Sequence, residues 1–392
     1  MAFGVDTKEN IKIDVIKIVN DIFKQAISLG ASDVHIESTY EGMVIRYRVD
    51  GTLKVMSEGD KMLRDFIISR IKVMATLKTT GLAQPQEGNI KFKQDDIDVD
   101  MRISIFPTST GECVVIRILE TDKYFGDFRE LGLLDEQVTA IEEIIQRPYG
   151  LVLVTGPNGS GKSTTLFTIL NRLNKPGKSL VTLEDPVERK IDMVRQTNIN
   201  PDINLSFASG LRYLLRQDPD IIMVGEIRDK ETAQIAVQAA ITGHLVLATI
   251  HTNNAAGAIV RMINMKVEPF LLSSALKFVT AQRLARVNCS HCKKEYEPPL
   301  ELLKRIDAPR SIKFYHSIGC ETCNHEGIKG RIGVHELIVV TKGIQNLTLL
   351  KPSDEQINKI AVDEGMITLR QAALQKVYDG TISIEEAIRL TE

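Results

Sequence analysis

The sequence predicts an α/β protein in which a parallel sheet flanked by helices follows a smaller mixed α+β unit. Two patterns predict it. From about residue 150 onward, short unbroken apolar runs (LVLVT, SLVTLE, IIMV, LVLATI) alternate with helical segments. Runs that are apolar on both faces suit parallel strands covered by helices on both sides. The first ~110 residues, a common domain size, read instead as strands joined by turns between two amphipathic helices. With 392 residues and 43% hydrophobic content, the chain is long enough for roughly two to three domains.

Residues 15–29 open the first unit as a helix, with Val15, Ile18, Val19, Ile22, Phe23 and Ala26 at helical spacing and Gly30 as the stop. VHIE and MVIRYRV follow as strands, and Asp50-Gly51 makes a hairpin turn into TLKVM. A second amphipathic helix spans residues 61–74. NIKFK, VDMRISIF and CVVIRIL are further strands, the last two joined by the turn-rich PTSTGE. This α+β unit, residues 1–120, ends at a polar, aromatic, aperiodic linker over 121–130. The α/β unit, residues 131–285, runs as helix 135–146, strand LVLVT, helix from Ser163, strand SLVTLE, helix 207–215, strand IIMV, helix 230–241 and strand LVLATI. A cysteine-bearing element over 286–335 and a helical region over 336–392 complete the chain.

Formal charge is near balance, 49 Lys+Arg against 51 Asp+Glu, which argues against a chain-wide footprint for nucleic acid or an anionic membrane. No apolar run approaches the ~18 residues of a membrane span, and the N-terminus has no apolar signal core. Of the five cysteines, Cys113 sits in CVVIRIL and reads as a small buried strand residue.

Gly156-Pro157-Asn158-Gly159-Ser160-Gly161-Lys162-Ser163 fits G-x-x-x-x-G-K-[ST], with a strand before it and a helix after it. Glycines at these positions let the backbone curl so that N–H groups converge on phosphate oxygens, and the helix N-terminus adds its dipole. Lys162 is placed for the β- and γ-phosphates of ATP and Ser163 for Mg²⁺, with Thr164 beside it. Transport ATPases with a similar loop need an LSGGQ-type signature, which this chain lacks, and its strand IIMV ends in Gly225-Glu226 rather than in an aspartate.

Two buried strands deliver acids to their C-terminal ends, where ligands lie in an open α/β sheet. Glu184 and Glu188 follow SLVTL, and Glu226 follows IIMV. ATP hydrolysis needs one carboxylate to orient or deprotonate water and another to hold Mg²⁺, and these three are the candidates. His244 and His251 bracket LVLATI. His251 emerges at the C-terminal end, where a γ-phosphate sensor would sit, and His244 is the second candidate.

GPNGSGKSTTL, TLEDPVE, LRYLLRQDPDIIMVGEIRD and TGHLVLATIHTNNA, in this order and spacing, resemble the Walker A, Asp box, Walker B and His box of the type II secretion and type IV pilus assembly ATPases. GASDVHIE, RYRVDGTL and MRISIFPTSTGECVVIRIL resemble that family's second N-terminal domain. VTAQRLARVNC and KGRIGVHEL resemble its later segments, so the likeness runs from about Ile11 to the end. It implies a RecA-like ATPase domain behind a PAS-like domain, assembled as a homo-hexamer in the cytoplasm. Such motors work at the inner face of the cell membrane against an inner-membrane platform protein, peripheral through partners and without nucleic acid. It further implies Glu184 and Glu188 near the attacking water, Glu226 near Mg²⁺, and phosphate-directed roles for Arg102, Arg117, Arg212 and Arg216. Asn158 departs from the family's more usual threonine, and the family's first N-terminal domain has no counterpart in these residues.

Cys289-x-x-Cys292 and Cys320-x-x-Cys323, with 27 residues between the pairs, supply four thiolates for a structural Zn²⁺. A thioredoxin-like context is absent. The element holds few large apolar residues, so metal binding is expected to supply much of its folding free energy. By resemblance, tetracysteine elements mark assembly motors, whereas retraction motors generally lack them.

Overall fold

The computed structural model describes residues 14–80, 84–95, 97–119, 126–306 and 312–392. They form two compact units that divide between Lys123 and Tyr124. The expected linker straddles this division: 121–125 lie outside the described residues, whereas Phe128 is buried in the core of the second unit.

In the first unit, α1 (Val15–Ser28) is capped by Asp14 and buries Val19, Ile22, Phe23 and Ala26. The strands β1 (Ala31–Ser38), β2 (Gly42–Val49) and β3 (Thr52–Asp60) form an antiparallel meander, and α2 (Lys61–Met74) follows directly. Then come β4 (Gln86–Gln94), β5 (Ile97–Thr108) and β6 (Gly111–Leu119). The sheet order is β3-β2-β1-β6-β5-β4, antiparallel throughout. Both helices share one core with the sheet, and the Tyr47 hydroxyl donates to Ile22 O at 2.9 Å.

The second unit begins with α3 (Asp135–Ile145), β7 (Gly150–Thr155), α4 (Lys162–Leu173) and β8 (Leu180–Glu184). It continues with β9 (Val194–Asn198), α5 (Phe207–Leu214), β10 (Ile221–Val224), α6 (Lys230–Ile241), β11 (Leu245–Ile250), α7 (Ala255–Asn264) and α8 (Pro269–Ala275). β12 (Leu276–Asn288) leads to the cysteine element, which holds β13 (Lys293–Tyr296), α9 (Leu300–Ile306) and β14 (Phe314–Ser317). β15 (Ile328–Val339) returns to the sheet before α10 (Lys342–Leu349), α11 (Asp354–Asp363), α12 (Leu369–Tyr378) and α13 (Ile384–Thr391). The sheet order is β15-β12-β7-β11-β10-β8-β9, with only the edge strand β15 antiparallel to its neighbour. Every residue of β7, β8, β10 and β11 is buried, because helices cover both faces of these strands.

Four features differ from the sequence expectation. Cys113 is only partly buried, and the boundary drawn at residue 335 falls inside β15. The boundary drawn at residue 285 falls inside β12, because the polar Gln282, Arg283 and Arg286 mask a strand that continues to Asn288. β9 escapes recognition because VRQTN is polar and partly exposed at the sheet edge. The cysteine element also packs: Ile306 and Phe314 enter a core shared with Ala372, Val377, Ile384 and Ile388 of α12 and α13. Packing therefore holds this element as well as ligation. Glu386 of α13 locks the same region to β12, accepting from Arg286 N at 2.8 Å, from the Arg286 guanidinium at 2.8 and 2.9 Å, and from Arg389.

Candidate nucleotide site

β7 delivers the chain into the glycine-rich loop and α4 carries it away. Gly156 has φ 146°, and a Cβ there would lie 2.5 Å from Gln282 O and 2.6 Å from Ser160 Oγ, so only glycine fits. Gly161, at φ 88°, is the N-cap of α4 and offers no side-chain hydrogen bond. In contrast, α5, α6 and α7 are capped by Ser206, Asp229 and Asn254. The first N–H groups of α4 are thus left to a ligand, as anion binding at a helix N-terminus requires. Pro157, Asn158, Gly159 and Ser163 are exposed, Lys162 and Thr164 are partly exposed, and Ser160 is buried.

The Lys162 ammonium donates to Gly156 O at 3.0 Å and Pro157 O at 2.9 Å. Burial holds its pKa below the ordinary lysine value, Glu226 opposes that shift, and Arg283 adds to it. The loop is braced from behind by Gln282 on β12, which is 1% exposed. Its Nε2 donates to Ser160 O at 2.6 Å, and its Oε1 accepts from Thr165 Oγ1 at 2.9 Å. Thr155 and Thr252 join the ends of β7 and β11 through hydroxyls 2.8 Å apart, and Thr252 N donates to Thr155 Oγ1 at 2.8 Å.

Glu226 leaves the end of β10 on a segment pinned to β11. Thr249 Oγ1 donates to Gly225 O at 2.5 Å and Ile227 N to Thr249 O at 2.9 Å. Its carboxylate is 12% exposed, pairs with Arg228 and lies 3.5 Å from His251 Nε2. Burial, followed by the Lys162 charge, lowers the pKa of His251, while Glu226 pulls the other way. Lys162, Glu226 and His251 therefore share one electrostatic neighbourhood at the C-terminal edge of the sheet.

The remaining candidates are placed differently. Glu184 is buried and accepts from Thr182 Oγ1 at 2.5 Å and Gln196 Nε2 at 3.0 Å; burial raises its pKa, and Glu188 adds to the rise. Glu188 itself is exposed. Arg212 is exposed and pairs with Glu231 of α6, and Arg216, also exposed, lies just beyond α5. Arg102 and Arg117 belong to the first unit, where they stand directly opposite each other on β5 and β6. Arg117 Nε reaches Asp33 at 3.1 Å, and Arg48 approaches the same carboxylate at 3.7 Å. His244 precedes β11, at the end away from the loop, with Nδ1 3.0 Å from Ala239 O. Gln282 and Arg283 escape the sequence reading, although VTAQRLARVNC stood out there. Nothing in a periodicity marks one glutamine of a strand as the brace of a loop more than a hundred residues earlier.

The four cysteine sulfurs lie within 4.8 Å of one another. Cys289–Cys320, Cys292–Cys323 and Cys320–Cys323 are separated by 3.9, 3.8 and 3.7 Å. A tetrahedron with Zn–S bonds of ~2.3 Å has edges of about 3.8 Å, so the donor set fits zinc. Cys320 N and Gly327 N each donate to Cys323 Sγ at 3.2 Å, which favours its thiolate and holds its pKa down at about 6 despite burial.

The sequence profile of the family described as Type II/IV secretion system protein matches residues 8–389. The type II secretion system ATPase E of Vibrio cholerae is 44% identical over 96% of this chain and 75% of its own length. The type IV pilus assembly ATPase PilB of Thermus thermophilus is 44% identical over 96% of this chain and 43% of its own. Among solved structures, the pilus retraction motor PilT with bound ADP superposes with TM-score 0.63 at 26% identity, covering 95% of this chain and 96% of that one. The Legionella pneumophila ATPase DotB has the same fold, with TM-score 0.72 at 20% identity over 100% of this chain and 98% of its own. On the profile match and on this identity over nearly the whole chain, the protein belongs to the type II/IV secretion system ATPase family.

Proposed function

We propose that this chain is the ATP-hydrolysing subunit of a homo-hexameric motor that drives assembly of a type II secretion pseudopilus or a type IV pilus. The observation that carries the reading is the convergence of an uncapped P-loop helix, Lys162, Glu226 and His251 at one edge of the sheet. The tetracysteine cluster and the identity to a type II secretion system ATPase and a type IV pilus assembly ATPase favour assembly over retraction. The motor works in the cytoplasm, at the inner face of the cell membrane, against an inner-membrane platform protein. Among the described residues no helix is long and apolar enough to cross a membrane, which suits attachment through partners. A PAS-like first unit is supported by its antiparallel sheet with two helices in one shared core.

In this reading the α4 N-terminus and the N–H groups of the loop cradle the ATP phosphates, and Lys162 exchanges its two loop carbonyls for β- and γ-oxygens. Ser163 and Glu226 are the residues that would hold magnesium, which when bound offsets the charge developing on the phosphates. His251 reads the γ-phosphate beside Glu226. Glu188 is the Asp-box acid open to water, while Glu184 holds the turn that carries it. Arg102, Arg117, Arg212 and Arg216 supply guanidinium groups to the phosphates when subunits meet in the ring. Zinc at the four cysteines is structural. Sedimentation with a non-hydrolysable ATP analogue should show hexamers, with turnover indifferent to added DNA. A monomer under all nucleotide conditions, or DNA-stimulated hydrolysis, contradicts the reading.

A further inference from the structure

Glu336 is a carboxylate on β15 with only 6% of its surface exposed. It is held by the first backbone N–H groups of two helices. Its Oε1 accepts from Ala255 N, at the start of α7, at 2.8 Å. Its Oε2 accepts from Leu369 N, at the start of α12, at 3.1 Å. Both helix dipoles thus point their positive ends at one buried carboxylate, which makes no ion pair among the described residues. The strand beneath is fixed as well, since Thr280 Oγ1 donates to Glu336 O at 3.1 Å.

The residues before Ala255 are 251–254, the loop that begins with His251. Its near end is tied to the P-loop strand through Thr155 and Thr252. Its middle is tied through Asn253 O, which accepts from Arg283 Nη2 at 2.9 Å, and Arg283 in turn lies within the attraction of Glu336. Its far end is tied by Glu336. We propose that Glu336 is a positioning residue for hydrolysis: it holds loop 251–254 against the P-loop and ties that loop to α12 and the C-terminal helices. The two oxygens divide the work: the one that accepts from Ala255 N holds the loop for hydrolysis, and the one that accepts from Leu369 N carries the tie to α12. Glutamine keeps the shape but offers one acceptor, leaving one helix N-terminus facing an N–H group.

The test compares two variants of the full chain. Glu336→Gln should lower kcat about tenfold while the Kd for Mg·ADP stays within about twofold, because the P-loop contacts do not involve it. In the wild type, a non-hydrolysable ATP analogue should slow amide hydrogen exchange at the start of α7 and also at the start of α12. In Glu336→Gln the α12 response should vanish. Leu369→Pro deletes only the second donor at a helix position that proline favours, and Thr368 already has the extended backbone (φ −68°, ψ 159°) that precedes proline. It should keep kcat within about twofold and lose the α12 response, since the α7 arm stays intact. Wild-type kcat in folded Glu336→Gln would overturn the proposal. So would a parallel fall of kcat and ADP affinity in that variant, the mark of a merely structural residue, or an α12 that never responds to nucleotide in the wild type.

Discussion

Glu226 Oε2 stands 3.5 Å from His251 Nε2, across the ends of the adjacent parallel strands β10 and β11. The pairing follows from topology. Neighbouring parallel strands end on the same edge, so residues one or two positions past each end meet there. Burial and the Lys162 charge lower the pKa of His251, against the pull of Glu226 beside it.

Lys162→Ala should reduce ATP turnover to background, because the β/γ-phosphate contact is lost. The fold should survive, since among the described residues the ammonium bonds only to Gly156 O and Pro157 O of its own loop. Circular dichroism and a coupled ATPase assay check both halves.

Arg102→Ala and Arg117→Ala should each lower turnover about tenfold without weakening Mg·ADP binding, if these guanidiniums meet the γ-phosphate only in the closed ring. Arg117→Ala carries an added cost, because Asp33 is 7% exposed and loses its 3.1 Å partner. A lower thermal midpoint for Arg117→Ala than for Arg102→Ala is therefore expected.

Stability should respond to acid through Glu386. The bonds from Arg389 and Arg286 overcome burial and hold its pKa at about 2 in the folded chain, below the ordinary glutamate value. A depressed folded pKa contributes stability that is complete above the unfolded value and fades as pH falls toward the folded one. Glu386→Gln should thus destabilise the second unit by about 3 kcal/mol at pH 7, with the difference from wild type shrinking between about pH 5 and about pH 2. Thermal melts across that range measure it.

Purified protein should carry about one zinc per chain, because four thiolates fill one tetrahedral shell. Cys320→Ser should speed amide exchange over residues 289–327 while nucleotide affinity stays within about twofold, since the cysteines and the P-loop lie in separate clusters. Since Ile306 and Phe314 pack on α12 and α13, the segment should loosen without unfolding outright.

Much of the fold is legible in the residues themselves. The helix over Lys61–Met74 and the one over Lys230–Ile241 follow from apolar spacing, and the Asp50-Gly51 turn from its dipeptide. The glycine-rich loop is legible because its spacing has one physical use. What periodicity hides are two strands of the sheet: the edge strand β9 is polar, and the internal strand β12 interrupts its apolar pattern with Gln282 and Arg283, which face other parts of the site. Partnerships across long separations, such as Gln282 with Ser160 or Glu336 with Ala255, leave no local trace, because each depends on strands that meet only in the folded sheet.

The most direct test of the proposed chemistry is steady-state ATP turnover by Glu226→Gln, with Mg·ATP affinity measured on the same sample. Glutamine keeps the shape beside His251 but removes the charge that attracts Lys162. Binding within about threefold of wild type, with turnover reduced at least a hundredfold, is the predicted result. Turnover within about threefold of wild type would contradict the account and move the chemistry to Glu184 and Glu188.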